Sequence, residues 1–559
     1  MKHGLLFFLF IFGLTSARAQ HSIRIWQVDP LEKVLRESRA FLESTGPAEV
    51  ARGETASFQL VWLNPAATDD LTVEALPLRN GAARLPVTRI GYAGYVHVGR
   101  QTPTPSKDKI ASPSGFYPDP LPGVQAGMQL PAGELQPFWL SVAVPAGAAP
   151  GLYSGEVVFR GRSNGRPFRI ARPLQLQVYP VTIGQTSLWV TNWMNLSAHN
   201  LRHLNGGQAV EPWSERYWTL VGVLAGSAAR HGQNMALISP LALTQFSLDG
   251  DRYTFDFSRF DRMTGLFLQA GMRRIEGGHL GGRIGNWTSP FGVSVPSAAP
   301  ASGSASGMEM LPLDDERTRR FLDQFLPAFL AHLKEKNWES IYLQHIADEP
   351  IAENIDSYRA FSAYVRERLP GIPIVEANHA SSLAGSIDVW VPQLNFLHTD
   401  FAFYLERQRL GEEIWFYTCL APQGNYANRF LELPLIQTRL LHWLNYRYGI
   451  PGYLHWGYNF WNDDPFREAT GIITESGNTL PGGDAWVAYP GNGEVIPSLR
   501  LEAMRDGIYD YELLKMYEVK FPERARELAR QVVYQFDLYD SGIEAFRAKR
   551  REILEALSQ

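Results

Sequence analysis

Asp348 and Glu349 stand side by side before Pro350, at the end of the apolar run SIYLQHI at 340–346. Ionised carboxylates are costly to bury without partners. Two this close push one pKa upward, toward a group able to donate a proton near neutral pH. Such a pair suits acid-assisted cleavage of a glycosidic bond. The same tripeptide can also open a helix, with an acid at the N-cap and Pro in the first turn. The segment 351–369 does read as helical, so both readings stay open at this point.

The elements that must position these acids follow a strand–helix rhythm. Apolar strands are predicted at 188–193, 234–239, 273–277, 340–347, 373–377, 389–394, 413–419 and 452–458. Amphipathic helices are predicted at 213–230, 257–270, 314–336, 351–369, 400–410, 430–448 and 498–517. Eight such units on a parallel sheet are the signature of a (β/α)8 TIM-like barrel. The barrel is expected over 186–520, with a C-terminal helical extension at 521–559. Upstream, residues 21–182 alternate apolar and polar side chains in short runs between Pro- and Gly-rich turns. That pattern predicts an all-β sandwich, so the chain is expected to be multidomain.

Barrel enzymes carry their chemistry at the C-terminal ends of the strands. Asp348 and Glu349 fall just past the fourth. The other strand ends supply Trp193, Asn195, Glu276, His279, His345, Asn378, His379, Gln393, Asn395, Tyr417, Trp456, Tyr458 and Trp461. Amide, imidazole and aromatic groups on one face suit a sugar, whose hydroxyls need polar partners and whose C–H face packs on flat rings. Two long segments stand out: 281–311 is expected to overhang this face, and 463–497, through 482–491, to form a small hairpin beside it.

Glycosidases ordinarily set two carboxylates across the scissile bond. The acids of strand seven, Glu412 and Glu413, lie at its wrong end, and its C-terminal end offers Tyr417. With no protein nucleophile there, the adjacent pair suggests substrate assistance, in which a 2-acetamido oxygen attacks the anomeric carbon. One acid then protonates the leaving oxygen, and its neighbour orients the acetamido N–H and stabilises the cationic intermediate. Two other readings remain. One is a conventional hydrolase pairing Glu349 with Glu276, Asp463 or Asp464 on a non-acetylated glycan. The other is a non-catalytic glycan-binding protein.

The chain resembles glycoside hydrolase family 123-like proteins that carry a C-terminal domain of unknown function 4091. The resemblance rests on ARGETASFQ at 51–59, YPDPL at 117–121, QPFW at 136–139 through the turn at 145–155, HIADEP at 345–350 and SLRLEAMRDGIYDYE at 498–512. It implies a retaining exo-β-N-acetylhexosaminidase, specifically a β-N-acetylgalactosaminidase, with Glu349 as general acid/base and Asp348 as acetamido stabiliser. The Arg, Asp and Tyr residues of 498–512 are expected to tie the last barrel helix to its neighbours.

Composition narrows the partners. A hydrophobic content of 45% with 15 Trp and 23 Tyr supports large packed cores. A net charge of −5 lacks the basic footprint of nucleic-acid binding. The start of the chain reads as a signal peptide over 1–19. Lys2 and His3 precede an apolar stretch at 5–14, and Ala17-Arg18-Ala19 gives the cleavage pattern. Export to the periplasm or the exterior is expected, with a terminal β-linked N-acetylhexosamine glycan as substrate. No transmembrane segment is expected. Cys419 is the single cysteine, so no intramolecular disulfide can form, and no cofactor or metal is implied.

Overall fold

The Asn164-Gly165 pair sits between two alternating runs, and both residues adopt positive φ, 50° and 72°. That is the tight turn whose twist matches a right-handed hairpin. It joins strands Gly151–Ser163 and Arg166–Thr182, which pair antiparallel from Ser163 opposite Arg166 to Gly151 opposite Val178. The computed structural model describes residues 23–297, 307–470, 477 and 480–559. The expected signal peptide and parts of both long segments, 298–306, 471–476 and 478–479, lie outside the described residues.

In the N-terminal domain, Gly151–Ser163 and Arg166–Thr182 belong to a seven-stranded sheet. Facing it is a four-stranded sheet ordered Arg24–Val28, Thr55–Leu63, Leu135–Ala143, Arg89–Tyr92. Alternate residues of both sheets meet in one core that includes Phe58, Leu60, Trp62, Phe138, Phe159, Leu174 and Leu176. The two-residue side-chain period of a strand is what makes this one-faced burial possible.

The second half contains short parallel strands, each followed by a helix or a long excursion. They form three three-stranded parallel sheets. One holds Trp189–Asn192, Gly452–His455 and Phe416–Tyr417. A second holds Met235–Ile238, Arg274–Gly277 and Tyr342–Gln344. The third holds Val375–Asn378, Val389–Pro392 and Glu413–Ile414. Single parallel bridges, Gln344 with Ile374 and Gln393 with Tyr417, connect the sheets. Asn234 links the first two, because its side-chain oxygen accepts from Val190 N at 2.9 Å. Gly452 is dictated by packing, since a Cβ there would fall 2.2 Å from Cγ of Trp415.

Each observed strand lies within its predicted segment or runs one residue past it. The predicted strand 340–347 is the most shortened, to Tyr342–Gln344. The helix after it begins at Ile355 with Asn354 at the N-cap position. Asp348 and Glu349 therefore do not cap that helix, and the capping interpretation of the pair falls away.

The two halves are joined by buried charge. Arg500, at the start of helix Leu499–Lys520, donates from Nε and Nη2 to Asp119 of the N-terminal half at 2.9 and 2.8 Å. Tyr489 donates to the same carboxylate at 2.6 Å. On the same helix, Asp510 accepts from Arg439 Nε at 2.6 Å, Trp443 Nε1 at 3.0 Å and Arg550 Nε at 2.9 Å. Arg550, on helix Ile543–Ser558, also holds Glu54 at 2.6 Å. Thus 498–512 ties elements together, as its composition suggests. Breaking a buried pair leaves one charge uncompensated, at roughly 3–5 kcal/mol. Arg500→Ala is expected to lower stability by about that amount. Adding Asp119→Ala should cost much less than a second full penalty, because the two share one interaction. Denaturant unfolding of the singles and the double checks this, and additive losses would contradict it.

Candidate active site

The strand ends of Arg274–Gly277, Tyr342–Gln344 and Val375–Asn378 deliver one buried polar cluster. At its centre is Glu376, which has no accessible surface. Its Oε1 accepts from His345 Nδ1 at 2.9 Å and faces His279 Nε2 at 3.2 Å. Its Oε2 accepts from the backbone N–H groups of Ile346 and Ala347 at 2.8 and 3.0 Å, and from the Tyr358 hydroxyl at 3.2 Å. Burial alone would raise this carboxyl, but the two histidines and their hydrogen bonds hold it down at about 2.

His345 is also fully buried, and its Nε2 reaches Glu276 Oε2 at 3.2 Å. Burial favours the neutral ring, yet the two flanking glutamates outweigh it and push the imidazole up to about 10. His345 is therefore an imidazolium clamped between two carboxylates. Trp193 donates from Nε1 to the same Glu276 oxygen at 3.1 Å and stands edge-on to His279 and His345.

The catalytic-type pair emerges from this cluster. Asp348 has a half-exposed side chain, and His279 Nε2 lies 3.9 Å from its Oδ1. The protein packed around its carboxyl and the neighbouring Glu349 charge raise it to about 6. Glu349 has a left-handed backbone, φ 47°, a conformation that strains a side-chain-bearing residue by about 1–2 kcal/mol. Its side chain is 19% exposed. Burial would lift its pKa, but His379 at 3.3 Å and a short hydrogen bond from the Tyr417 hydroxyl bring it below the usual carboxylate value. Tyr417 also lies 2.7 Å from His379 Nε2 and 3.3 Å from Gln393 Oε1. In the free cleft Asp348 is therefore the more readily protonated of the two.

Arg283 braces the strained turn. Its Nη1 and Nη2 donate to the carbonyls of Asp348 and Glu349 at 3.0 and 2.7 Å. It comes from the strand Gly281–Arg283 in the long segment after strand three, which pairs with Phe291–Pro296 and so does overhang the acids.

The structure thus brings Trp193, His279, Asp348, Glu349, His379, Gln393 and Tyr417 to one cleft. Glu276 and His345 belong to the same network but have no accessible surface, so they support the cleft from beneath and do not line it. Asn378 is buried too and donates to the Tyr404 hydroxyl at 3.1 Å. Three further expected residues make contacts of their own, apart from the Glu376 network. Tyr458 is fully buried and donates to Ser227 on helix Glu215–Arg230 at 3.0 Å. Trp456 donates from Nε1 to Asp484 at 3.1 Å. Asn195 caps a short turn through Ser197. Their strands end before these positions, so each side chain finds its hydrogen-bond partner on a neighbouring loop or helix.

Glu376 and Arg283 escaped the sequence reading. Glu376 had a signal, a lone acid inside the apolar stretch IVEAN at 374–378. Arg283 had none, because nothing local says which carbonyls it reaches. His279, His345 and Glu376 are the one group among the described residues whose ligand atoms lie close enough to share a metal ion. Both nitrogens of His345 already face carboxylates, so this geometry is satisfied by protons. A cavity of about 360 Å³ exists elsewhere, between the N-terminal domain and helix Ile543–Ser558, among mutually paired charges and far from the acids.

Comparison with known proteins agrees with this architecture. The model for the glycoside hydrolase 123 catalytic domain matches residues 199–517, and that for the family's N-terminal domain matches 35–160. The segment 498–512 lies within the catalytic match. A family 123 glycoside hydrolase from Clostridium perfringens, described for glycolipid glycan hydrolysis, superposes with TM-score 0.72 at 15% identity, covering 96% of this chain and 97% of its own. A family 20 exo-β-N-acetylglucosaminidase from Vibrio harveyi aligns over 96% of this chain and 98% of its own, but at 9% identity and TM-score 0.26 it carries no argument. No curated protein matches at the sequence level. With a catalytic-domain match spanning more than half of its length, this chain belongs to glycoside hydrolase family 123 and is a glycoside hydrolase.

Proposed function

We propose that the enzyme is an exported, retaining exo-β-N-acetylgalactosaminidase that uses the substrate's own 2-acetamido group as nucleophile. The observation that carries this is the arrangement around Glu349. The acids stand together at one strand end, and a tyrosine, not a carboxylate, ends strand seven opposite them. The name of the Clostridium perfringens relative supports a glycolipid glycan as the source of the sugar. The three parallel sheets are read as arcs of one (β/α)8 barrel, and the two-sheet domain as a β-sandwich. Export rests on the leader-like start of the chain. No described helix is long and apolar enough to cross a membrane.

Glu349 protonates the glycosidic oxygen, and Asp348 accepts the acetamido N–H and balances the oxazolinium charge. In the free cleft Asp348 is the more readily protonated, so the bound acetamido N–H has a defined task. By donating to Asp348 it favours that carboxylate ionised, and the single proton of the pair passes to Glu349, where the leaving oxygen needs it. The conventional two-carboxylate reading loses support. Glu276 has no accessible surface, and Asp463, 94% exposed, pairs with Arg202.

Two outcomes test this. Glu349→Gln should lose at least about 10²-fold in kcat on substrates whose leaving group needs a proton, and far less on activated ones. Asp348→Asn should lose comparably on 2-acetamido substrates; undiminished turnover there would sink substrate assistance. Second, the active enzyme carries one proton on the pair. Asp348 holds it up to about pH 6, so kcat/KM should fall as pH rises through that region. In Asp348→Asn the residual activity should instead fall at lower pH, because Glu349, held below the usual carboxylate value, then carries the proton alone. A pH profile of both enzymes checks the sign.

A further inference from the structure

The segment that braces the acids also carries an exposed aromatic ring that the mechanism does not use. Trp287 follows the strand Gly281–Arg283 and is about half exposed, 49%. The Arg283 guanidinium lies 3.8 Å from the ring centroid, which fixes the indole by a cation–π contact. Arg283 Nε also donates to the Trp287 carbonyl at 2.7 Å, and Asn354 Nδ2 donates to that carbonyl at 3.3 Å. The ring is therefore held from its backbone and from one face while much of it stays open to solvent. An exposed tryptophan fixed this way is not serving a core.

Its position relative to the acids gives it a side. His279 flanks Asp348, the acid proposed to hold the acetamido group, and Trp193 stands edge-on to His279. His379 flanks Glu349, 3.3 Å from its carboxylate, and the Trp287 ring lies 6.4 Å from the His379 ring. A general acid must lie within hydrogen-bond reach of the leaving oxygen. The group departing with that oxygen consequently lies on the Glu349 side, toward His379 and Trp287.

We propose that Trp287 is the stacking platform for the leaving-group pyranose, the sugar next to the one being removed. The open indole packs on that sugar's C–H face, as aromatic rings in glycan sites do through their apolar surface. Arg283 makes the platform and the catalytic turn one rigid unit, because the same guanidinium touches the ring and the carbonyls of Asp348 and Glu349. This assignment rests on the proposed role of Glu349 as the acid.

The test compares, for each enzyme, kcat/KM on a β-linked oligosaccharide with kcat/KM on the matching glycosyl fluoride, which has no leaving-group sugar. Both substrates are made in 2-acetamido and 2-hydroxy forms. Which form is turned over reads the proposed function, and the oligosaccharide-to-fluoride ratio within that form reads Trp287. In Trp287→Ala the ratio should fall roughly tenfold, as expected for loss of one aromatic contact in the transition state. Trp287→Phe should retain most of it, and Trp287→Gln, similar in reach but not aromatic, should behave like the alanine variant. An unchanged ratio in Trp287→Ala and Trp287→Gln, whether or not both rates fall, overturns the proposal.

Discussion

Five hydrogen-bond donors converge on the carboxylate of Glu376, and the active-site end of the enzyme is organised around that one buried anion. Two donors are imidazoles, two are the backbone N–H groups that follow His345, and one is the Tyr358 hydroxyl. An unpartnered carboxylate here would be prohibitively costly. Because every lone pair is used, the charge fixes the chain where strand four ends and Asp348-Glu349 begins. The imidazolium of His345 is the complementary half, and Glu276 is its second anchor. Such polar networks rigidify when fully satisfied, and the acids extend from that rigid base into the cleft.

The turn beyond that base is not relaxed. Glu349 takes a left-handed backbone that glycine would adopt without strain. Strain of this kind persists where the surroundings over-determine it, and it concentrates at functional sites. Arg283 contributes to that over-determination from one side, and Tyr417 with His379 from the other. The consequence is chemical as well as geometric. Donors on Glu349, and the protein packed around Asp348 together with the Glu349 charge, split the two acids, so Asp348 is the more readily protonated of the pair. Adjacent carboxylates in similar surroundings would have shared the proton.

Away from the cleft, ionic contacts hold the domains together. Asp119 with Arg500, and Glu54 with Arg550, are pairs without solvent access or nearly so. Pairs this buried gain little over a well-packed apolar contact, but they are intolerant of losing one partner. They make the relative placement of the two halves specific. The stretches YPDPL and SLRLEAMRDGIYDYE, far apart in sequence, meet through Asp119 and Arg500. This explains why both look distinctive without either touching the cleft.

Sequence alone determined the order of elements, because side-chain periodicity is a local property. A period near two in 55–63 and 151–163, and short apolar runs alternating with amphipathic helices beyond 186, follow from which face of each element is buried. It also determined that two acids follow strand four and that Tyr417 stands at the end of strand seven, since both follow from strand order. Tertiary structure decided what the acids are. It separated Asp348-Glu349 from the helix start at Ile355, placed Glu376 beneath them, and brought Arg283 across from a hairpin some 65 residues away in the chain. It also buried Tyr458 completely, against Ser227 of helix Glu215–Arg230. Those decisions depend on where a strand stops and which distant partner faces it. Both are set by packing between segments, and no local pattern encodes them.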